Sequence, residues 1–335
     1  MVQKKVESRA FARAGLLGNP SDGYQGRTIS FAIEQYYASV AATESDKVII
    51  QAGPSDRLEF SSADDLSQQI DDSGFYGGVR LIKSAIKRLH DHCVRKGLAF
   101  DRNFSIGYDS NIPRQVGLAG SSAIVVATLR CLCQWHDIEI EPAVIAGLAL
   151  QSESALGITA GPQDRVIQAF DGAMYMDFSD TKPVDGVHVG SYTRLDVDQD
   201  HNFYVAFNSA ESEPTEVLHG DLKSRMQAGD ANTVAAIGEI SELPLLGREA
   251  VETNDLSRLS DLINRNFDLR KKVCDLNPYH VKMVETARWV GASAKYCGSG
   301  GAIVGTYSDD SMYESLSSAL GSIGCTVIRP KIAHP

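Results

Sequence analysis

Residues 111–129, NIPRQVGLAGSSAIVVATL, constrain the fold more than any other stretch, because a turn crowded with small residues runs without a break into an apolar segment of helical character. Gly117, Gly120, Ser121 and Ser122 leave backbone N–H groups uncovered where the first turn of a helix has unpaired donors and a partial positive charge. Such a helix start holds an anion without any cationic side chain. The loop has neither the Lys of a Walker P-loop nor the G-x-G-x-x-G spacing of a Rossmann turn. On these residues alone two readings stay open: a tight turn that caps a core helix, or a cradle for phosphate.

Two further Gly-rich strings, ARAGLLGNPSD at 12–22 and YCGSGGAIVG at 296–305, lie far from that loop, and an acidic segment, ESALGITAGPQD, covers 153–164. In this order the strings resemble the motifs of the GHMP kinase superfamily: P-G-R/K-v-n-l-i-G-E-H-x-D near the N-terminus, P-x-x-x-G-L-G-S-S-A at the centre, and a Gly-rich loop near the C-terminus. Arg13, Gly18 and Asp22 match the first; Pro113, Gly117, Leu118, Gly120, Ser121, Ser122 and Ala123 match the second; Gly298, Ser299, Gly300 and Gly301 fall on the third. Within the superfamily, GLLGNPSDGYQGRTISF, FYGGVRLI, NIPRQVGLAGSSAIV and NRNFDLRKK look most like the plant-type glucuronokinases. The resemblance implies an α+β, two-domain fold: an N-terminal β-α domain with the phosphate loop over 1–195, and a C-terminal ferredoxin-like domain over 196–335.

Hydrophobic patterning agrees with an α+β organisation. Residues 26–34 and 46–51 read as strands, FYGGVRLIKSAIKRLHDHCV as a helix, and FSIGYDSNIP as a strand leading into the phosphate loop. Residues 121–135 and 141–156 read as helices and 172–178 as a strand. The polar, Asp- and Gly-rich stretch 180–202 reads as a domain connection. Beyond it NFYVAFN, AIVGTY and CTVIRP read as strands, and 233–242, 255–273 and 282–290 as helices.

A chain of 335 residues that is 43% apolar can fill two cores. Its net charge of −11 argues against a nucleic-acid partner, which needs clustered Lys and Arg. The longest apolar run, around 123–133, is cut by Arg130 and is too short to span a bilayer. The six cysteines form no C-x-x-C pair and have no His at zinc spacing, as expected of free thiols in a reducing compartment. Lys4, Lys5, Arg9 and Arg13 stand near the N-terminus, but the first motif begins by about residue 10, so no targeting signal is read and a cytoplasmic location is expected.

Phosphoryl transfer from ATP needs the γ-phosphate held in line with an acceptor oxygen and its charge offset by metal and dipoles. The resemblance makes Pro113, Gly117, Leu118, Ala119, Gly120, Ser121, Ser122 and Ala123 the loop that holds ATP, and Ser122 and Glu153 the Mg²⁺ ligands, Glu153 standing four residues before Gly157. Without it, Ser122 is an N-cap through the same oxygen and Glu153 an exposed helix carboxylate. Asp164, in the family's G-x-x-D, is the implied general base for the sugar hydroxyl, a role typically worth about 10²–10⁴-fold. Arg13 matches the Arg or Lys that keeps that Asp ionised; a structural Arg–Asp bridge between loops is the alternative.

Galactokinase-like members read E-H-x-D in the first motif, with the Glu on the distal end of the sugar, whereas Asn19 and Pro20 stand there in this chain. A carboxylate facing a substrate carboxylate is repelled by about 4 kcal/mol at 4 Å and an effective dielectric of 20. Asn19 can instead donate an amide hydrogen bond and so suits an acid sugar. Asp22 is kept as an acceptor for ring hydroxyls. An Arg is expected on the carboxylate; Arg27, Arg80, Arg114 and Arg165 are candidates, with Arg114 and Arg165 foremost because they adjoin site residues. Gly298, Ser299 and Gly300 are expected to close over phosphates and substrate, or else to form a plain strand turn. FSSADDL, 60–66, is assigned to adenine by its order in the chain. The implied reaction is MgATP-dependent phosphorylation of the anomeric hydroxyl of D-glucuronate. The alternatives are another monosaccharide, galactose-like or a heptose, and a silent sensor of sugar and ATP, which need not keep Arg13, Ser122, Glu153 and Asp164 together.

Overall fold

The computed structural model describes residues 4–53, 56, 61–62, 77–159, 161–197, 201–210 and 216–334. β1 (Lys5–Leu17) runs antiparallel to the 18-residue β2 (Arg27–Glu44) along its whole length. Up to Phe11 the side chains of β1 alternate between covered and exposed, and from Ala12 to Leu17 all are buried. That second half is covered on both faces, so the alternation that marks a strand is missing from ARAGLL. The first half of the Gly-rich string 12–22 is therefore the end of a strand.

The other edge of β2 is shared. Residues 38–44 pair with β4 (Phe104–Ser110) and 27–31 with β5 (Ala173–Val184). β3 (Ile49–Ile50) lies parallel to β4, and β6 (Val187–Leu195) forms a hairpin with β5. The sheet order is β3-β4-β2-β5-β6, with β1 against β2. The hairpin corrects the expected connection at 180–202: Asp185 and Gly186, at φ 52° and 85°, make a two-residue turn, and the polar composition reflects an exposed hairpin end.

Helices α1 (Gly78–Lys96), α2 (Gly120–His136), α3 (Pro142–Ser154) and α4 (Gln163–Phe170) pack with this sheet. α2 touches β1, β2 and the other three helices, which explains an apolar sequence with no polar face.

The second sheet has the order β10-β7-β9-β8, from β7 (Phe203–Phe207), β8 (Lys295–Tyr296), β9 (Ala302–Thr306) and β10 (Thr326–Ile328). In chain order its strands lie 4-1-3-2, the ferredoxin-like arrangement expected from the resemblance. α5 (Glu216–Gln227), α6 (Ala231–Glu252), α7 (Leu256–Val273), α8 (Pro278–Trp289) and α9 (Asp310–Gly321) complete the described elements. α6 runs past the predicted end at 242 and through Pro244. Pro244 is buried against Gly18, so tertiary packing offsets the backbone hydrogen bond a proline removes.

Candidate active site

A cavity of about 620 Å³ is walled by the turn after β1, the starts of α1, α2 and α4, the loop Gly298–Ser299 and one face of α5. α2 begins at Gly120 behind Ala119, whose φ of 63° is left-handed, and no side chain caps it. Its first N–H groups are thus left to whatever enters the cavity. α1 and α4 also begin here, at Gly78 and Gln163, with their first N–H groups met by the phenol of Tyr108 and the carboxylate of Asp22. Gly117 has φ 75°, and a Cβ on it would stand 2.4 Å from the carbonyl oxygen of Gly300. The central and C-terminal glycine loops are therefore in backbone contact, through Gly117 on one side and Gly298, Ser299 and Gly300 on the other. Pro113, Gly117, Leu118, Ala119, Gly120 and Ser121 line the cavity; Ser122 and Ala123 are buried behind them.

Arg13 and Asp164 meet as predicted. Nε of Arg13 donates to Oδ1 at 2.6 Å and Nη2 to Oδ2 at 3.0 Å, a bidentate pair. Nη1 donates to the Gly117 carbonyl at 2.6 Å, which ties the carboxylate's partner to the phosphate loop. Asp22 lies alongside, accepting from the backbone N–H of Gln163 at 3.2 Å and from its side-chain amide at 3.1 Å. Burial, and next the Asp164 carboxylate, push the pKa of Asp22 up to about 6.

The two residues expected to hold a metal are placed differently from expectation. Ser122 is 1% exposed and its hydroxyl donates to the Ala119 carbonyl at 3.2 Å. Ser121 faces the cavity instead, donating to Oε1 of Glu153 at 2.8 Å. Consecutive helical residues point about 100° apart, so only one of the two serines can do so. Glu153 is not an exposed helix carboxylate: it is 0% exposed and its Oε2 takes Nε of Arg165 at 2.5 Å. Among the described residues no three His, Cys, Asp or Glu side chains cluster around a metal position. The Ser121 hydroxyl and Oε1 of Glu153 still form an oxygen pair of the hard type that Mg²⁺ accepts, with the remaining ligands to come from phosphate and water.

Arg165 is also corrected as a carboxylate reader, since Glu153 and the Gly161 carbonyl, at 2.6 Å, occupy its guanidinium. Arg27 pairs with Asp177 and Glu242 away from the cavity, and Arg80 does not line it. Arg114 does, and is exposed. The amide of Asn19 is taken up internally: its nitrogen donates to Tyr296 and Gly298 carbonyls at 3.4 and 3.3 Å, and its oxygen accepts from Lys295. Of the stretch 60–66 only Ser61 and Ser62 lie among the described residues, and neither lines the cavity; Gly77, Gly78, Leu81, Tyr108 and Ile112 do.

Three residues that sequence reasoning missed hold this end together. Lys295, 1% exposed, donates to the Gly15 carbonyl at 2.6 Å, the Tyr296 carbonyl at 2.8 Å and Asn19. Burial lowers its pKa well below the ordinary value, while three oxygen acceptors favour the ammonium form. Asn266 accepts from the N–H of Gly18 at 2.7 Å, and Arg270, one turn on, donates to Gly298 and Ser299 carbonyls at 2.7 and 3.0 Å. The i,i+4 spacing in NRNFDLR was the available signal. Cys297 is fully buried, and burial pushes its thiol up to about 12, so it fills space in the loop.

Residues 80–172 match the family described as GHMP kinases N terminal domain. The chain is 42% identical over 306 residues to probable glucuronokinase 2 of Arabidopsis thaliana, covering 89% of this chain and 83% of that one. It is 40% identical to glucuronokinase 1 of the same plant, covering 89% and 84%. Its fold matches that of Streptococcus pneumoniae phosphomevalonate kinase in complex with phosphomevalonate and AMPPNP, with a TM-score of 0.76 at 14% identity over 98% of this chain and 100% of the other.

Proposed function

The chain belongs to the GHMP kinase family and is an ATP-using sugar kinase, a phosphotransferase with an alcohol group as acceptor, and from that premise we propose that it phosphorylates the anomeric hydroxyl of D-glucuronate. The observation that carries the reading is the position of Arg13, which joins Asp164 to the phosphate loop through Gly117 in the cavity that Asp22 also lines. The two plant relatives, named as glucuronokinases, supply the sugar.

In the proposed mechanism the uncapped start of α2 and the glycine loops hold the phosphates of ATP, and the apolar wall of Leu81, Tyr108 and Ile112 takes the adenine end. Asp22 and Gln163 orient the sugar. Asp164, paired with Arg13, accepts the anomeric hydroxyl proton as that oxygen bonds to the γ-phosphorus and the bond to the β-phosphate oxygen breaks, releasing ADP. Ser121 and Glu153 would hold Mg²⁺, with Arg165 fixing the carboxylate. The ion supplies positive charge to the phosphate oxygens.

The same reading divides the chain at 195/196, because β1 to β6 share one sheet and β7 to β10 the other. No described helix is long and apolar enough to cross a membrane. All six cysteines are free thiols, which supports a cytoplasmic, reducing location.

The test is kcat/KM with ATP across glucuronate, galacturonate, glucose, galactose and a heptose, with Asp164→Asn as control. Glucuronate should exceed the neutral sugars by about 10²-fold or more, and Asp164→Asn should lose about 10²–10⁴-fold in kcat. A neutral sugar as best substrate sinks the uronate assignment; no turnover of any sugar sinks the catalytic one.

A further inference from the structure

Among the described residues, the cationic side chains lining the cavity are Arg13, Arg114, Arg165 and Lys223. Asp164 and Glu153 occupy the first and third. Arg114 and Lys223 are exposed and have no ion pair among the described residues. Arg114 belongs to the nucleotide end: it follows Pro113 in the phosphate loop, and its charge reaches the phenol of Tyr108, which accepts from the N–H of Gly78 at the start of α1.

Lys223 comes from a different element, α5. With Met226 and Gln227 it presents one face of α5 to the cavity, at the i, i+3, i+4 spacing of helical neighbours. α5 packs on α6, and α6 packs on the short helical turn Ser21–Tyr24 that carries Asp22, Gly23 and Tyr24 to the cavity wall. Asp22, Asp164 and Lys223 all line this one cavity. A substrate carboxylate placed there meets two fixed carboxylates, and the arginines beside them are already paired.

We propose that Lys223 is the specificity-determining residue that binds the carboxylate of an acidic sugar, the task the sequence assigned to an arginine. The proposal rests on the uronate reading of the site. An ammonium on a flexible stem suits a surface helix that has to meet substrate without a preformed fork.

The experiment is steady-state kinetics of the full chain for wild type, Lys223→Met, Lys223→Arg and Arg114→Met, with glucuronate as substrate and glucose as substrate or competitive inhibitor. Lys223→Met should raise the glucuronate KM about 10–100-fold, the range for a hydrogen bond to a charged group, with the glucose constant and the ATP KM within about twofold of wild type. Lys223→Arg should recover most of the loss, and Arg114→Met should act on the ATP KM for both sugars. Unchanged glucuronate KM in Lys223→Met, or equal losses for glucose, overturns the inference alone. A wild type that phosphorylates only neutral sugars removes the uronate reading and this inference with it, and is recognised before any variant is compared.

Discussion

Asp22 is an acid whose surroundings oppose its charge. Its ordinary pKa of 3.8 is raised to about 6 by burial and by Asp164, against the N–H of Gln163 and the charges of Arg13 and Arg165. The native state therefore holds a proton between about pH 4 and pH 6 that the unfolded chain has lost, so this group makes stability fall as pH rises through that window. Activity should run the other way, since the ionised form is the better acceptor for ring hydroxyls. We expect kcat/KM for the sugar to rise through an apparent pKa near 6, and Asp22→Asn to lower kcat/KM and remove that limb. A limb that persists in Asp22→Asn assigns it to another group. At this scale the sequence placed Arg13, Asp22 and Asp164 together but named Ser122 where Ser121 faces the cavity, because which of two adjacent hydroxyls does so depends on how α2 is rotated in its packing.

The elements meet through glycine. Gly117 holds a left-handed backbone and faces the Gly300 carbonyl with no room for a side chain. Gly117→Ala should cost about 1–2 kcal/mol through its backbone alone and displace the C-terminal loop. Since a 1 Å misplacement of reacting groups costs about 10²-fold, kcat/KM for ATP should fall by at least that much. Thermal unfolding and ATP kinetics measured together check it; wild-type kinetics would show that the loops need not touch. The sequence made both loops visible, but their contact is fixed by α7, whose Asn266 and Arg270 reach the turn after β1 and the C-terminal loop. A helix with cations in its last turn reads equally well as a solvated surface helix, so its role could not be seen in the chain.

At the scale of the whole molecule, the chain end returns to the first sheet. Glu34 donates its N–H to the Lys331 carbonyl at 2.9 Å, Ala333 to Ala32 at 3.1 Å and Gly172 to Ala333 at 2.7 Å, with Ile332 and Ala333 buried. Each net hydrogen bond contributes about 1 kcal/mol and the apolar burial about 1–2 more. Removing residues 331–335 should therefore lower Tm by roughly 5–10 °C, at a few degrees per kcal/mol. A scan in which the shortened chain melts with the full one would show that the return adds nothing. Nothing in KIAHP announces this pairing, since three residues carry no periodicity and the partner strand lies some 300 positions earlier.

What the sequence determined by itself were features set by local conformation: the small-residue turn that runs into α2 and the order of the three Gly-rich motifs along the chain. Apart from Arg13 and Asp164, pairing between side chains was decided only in the folded molecule. Arg165 faces Glu153 rather than substrate, Asn19 is held by Lys295, and Lys223 is left facing the cavity. A charged side chain looks the same in a chain whether its partner is a carboxylate buried beside it, a ring of carbonyls, or a ligand; only burial and the geometry of the neighbours tell these apart.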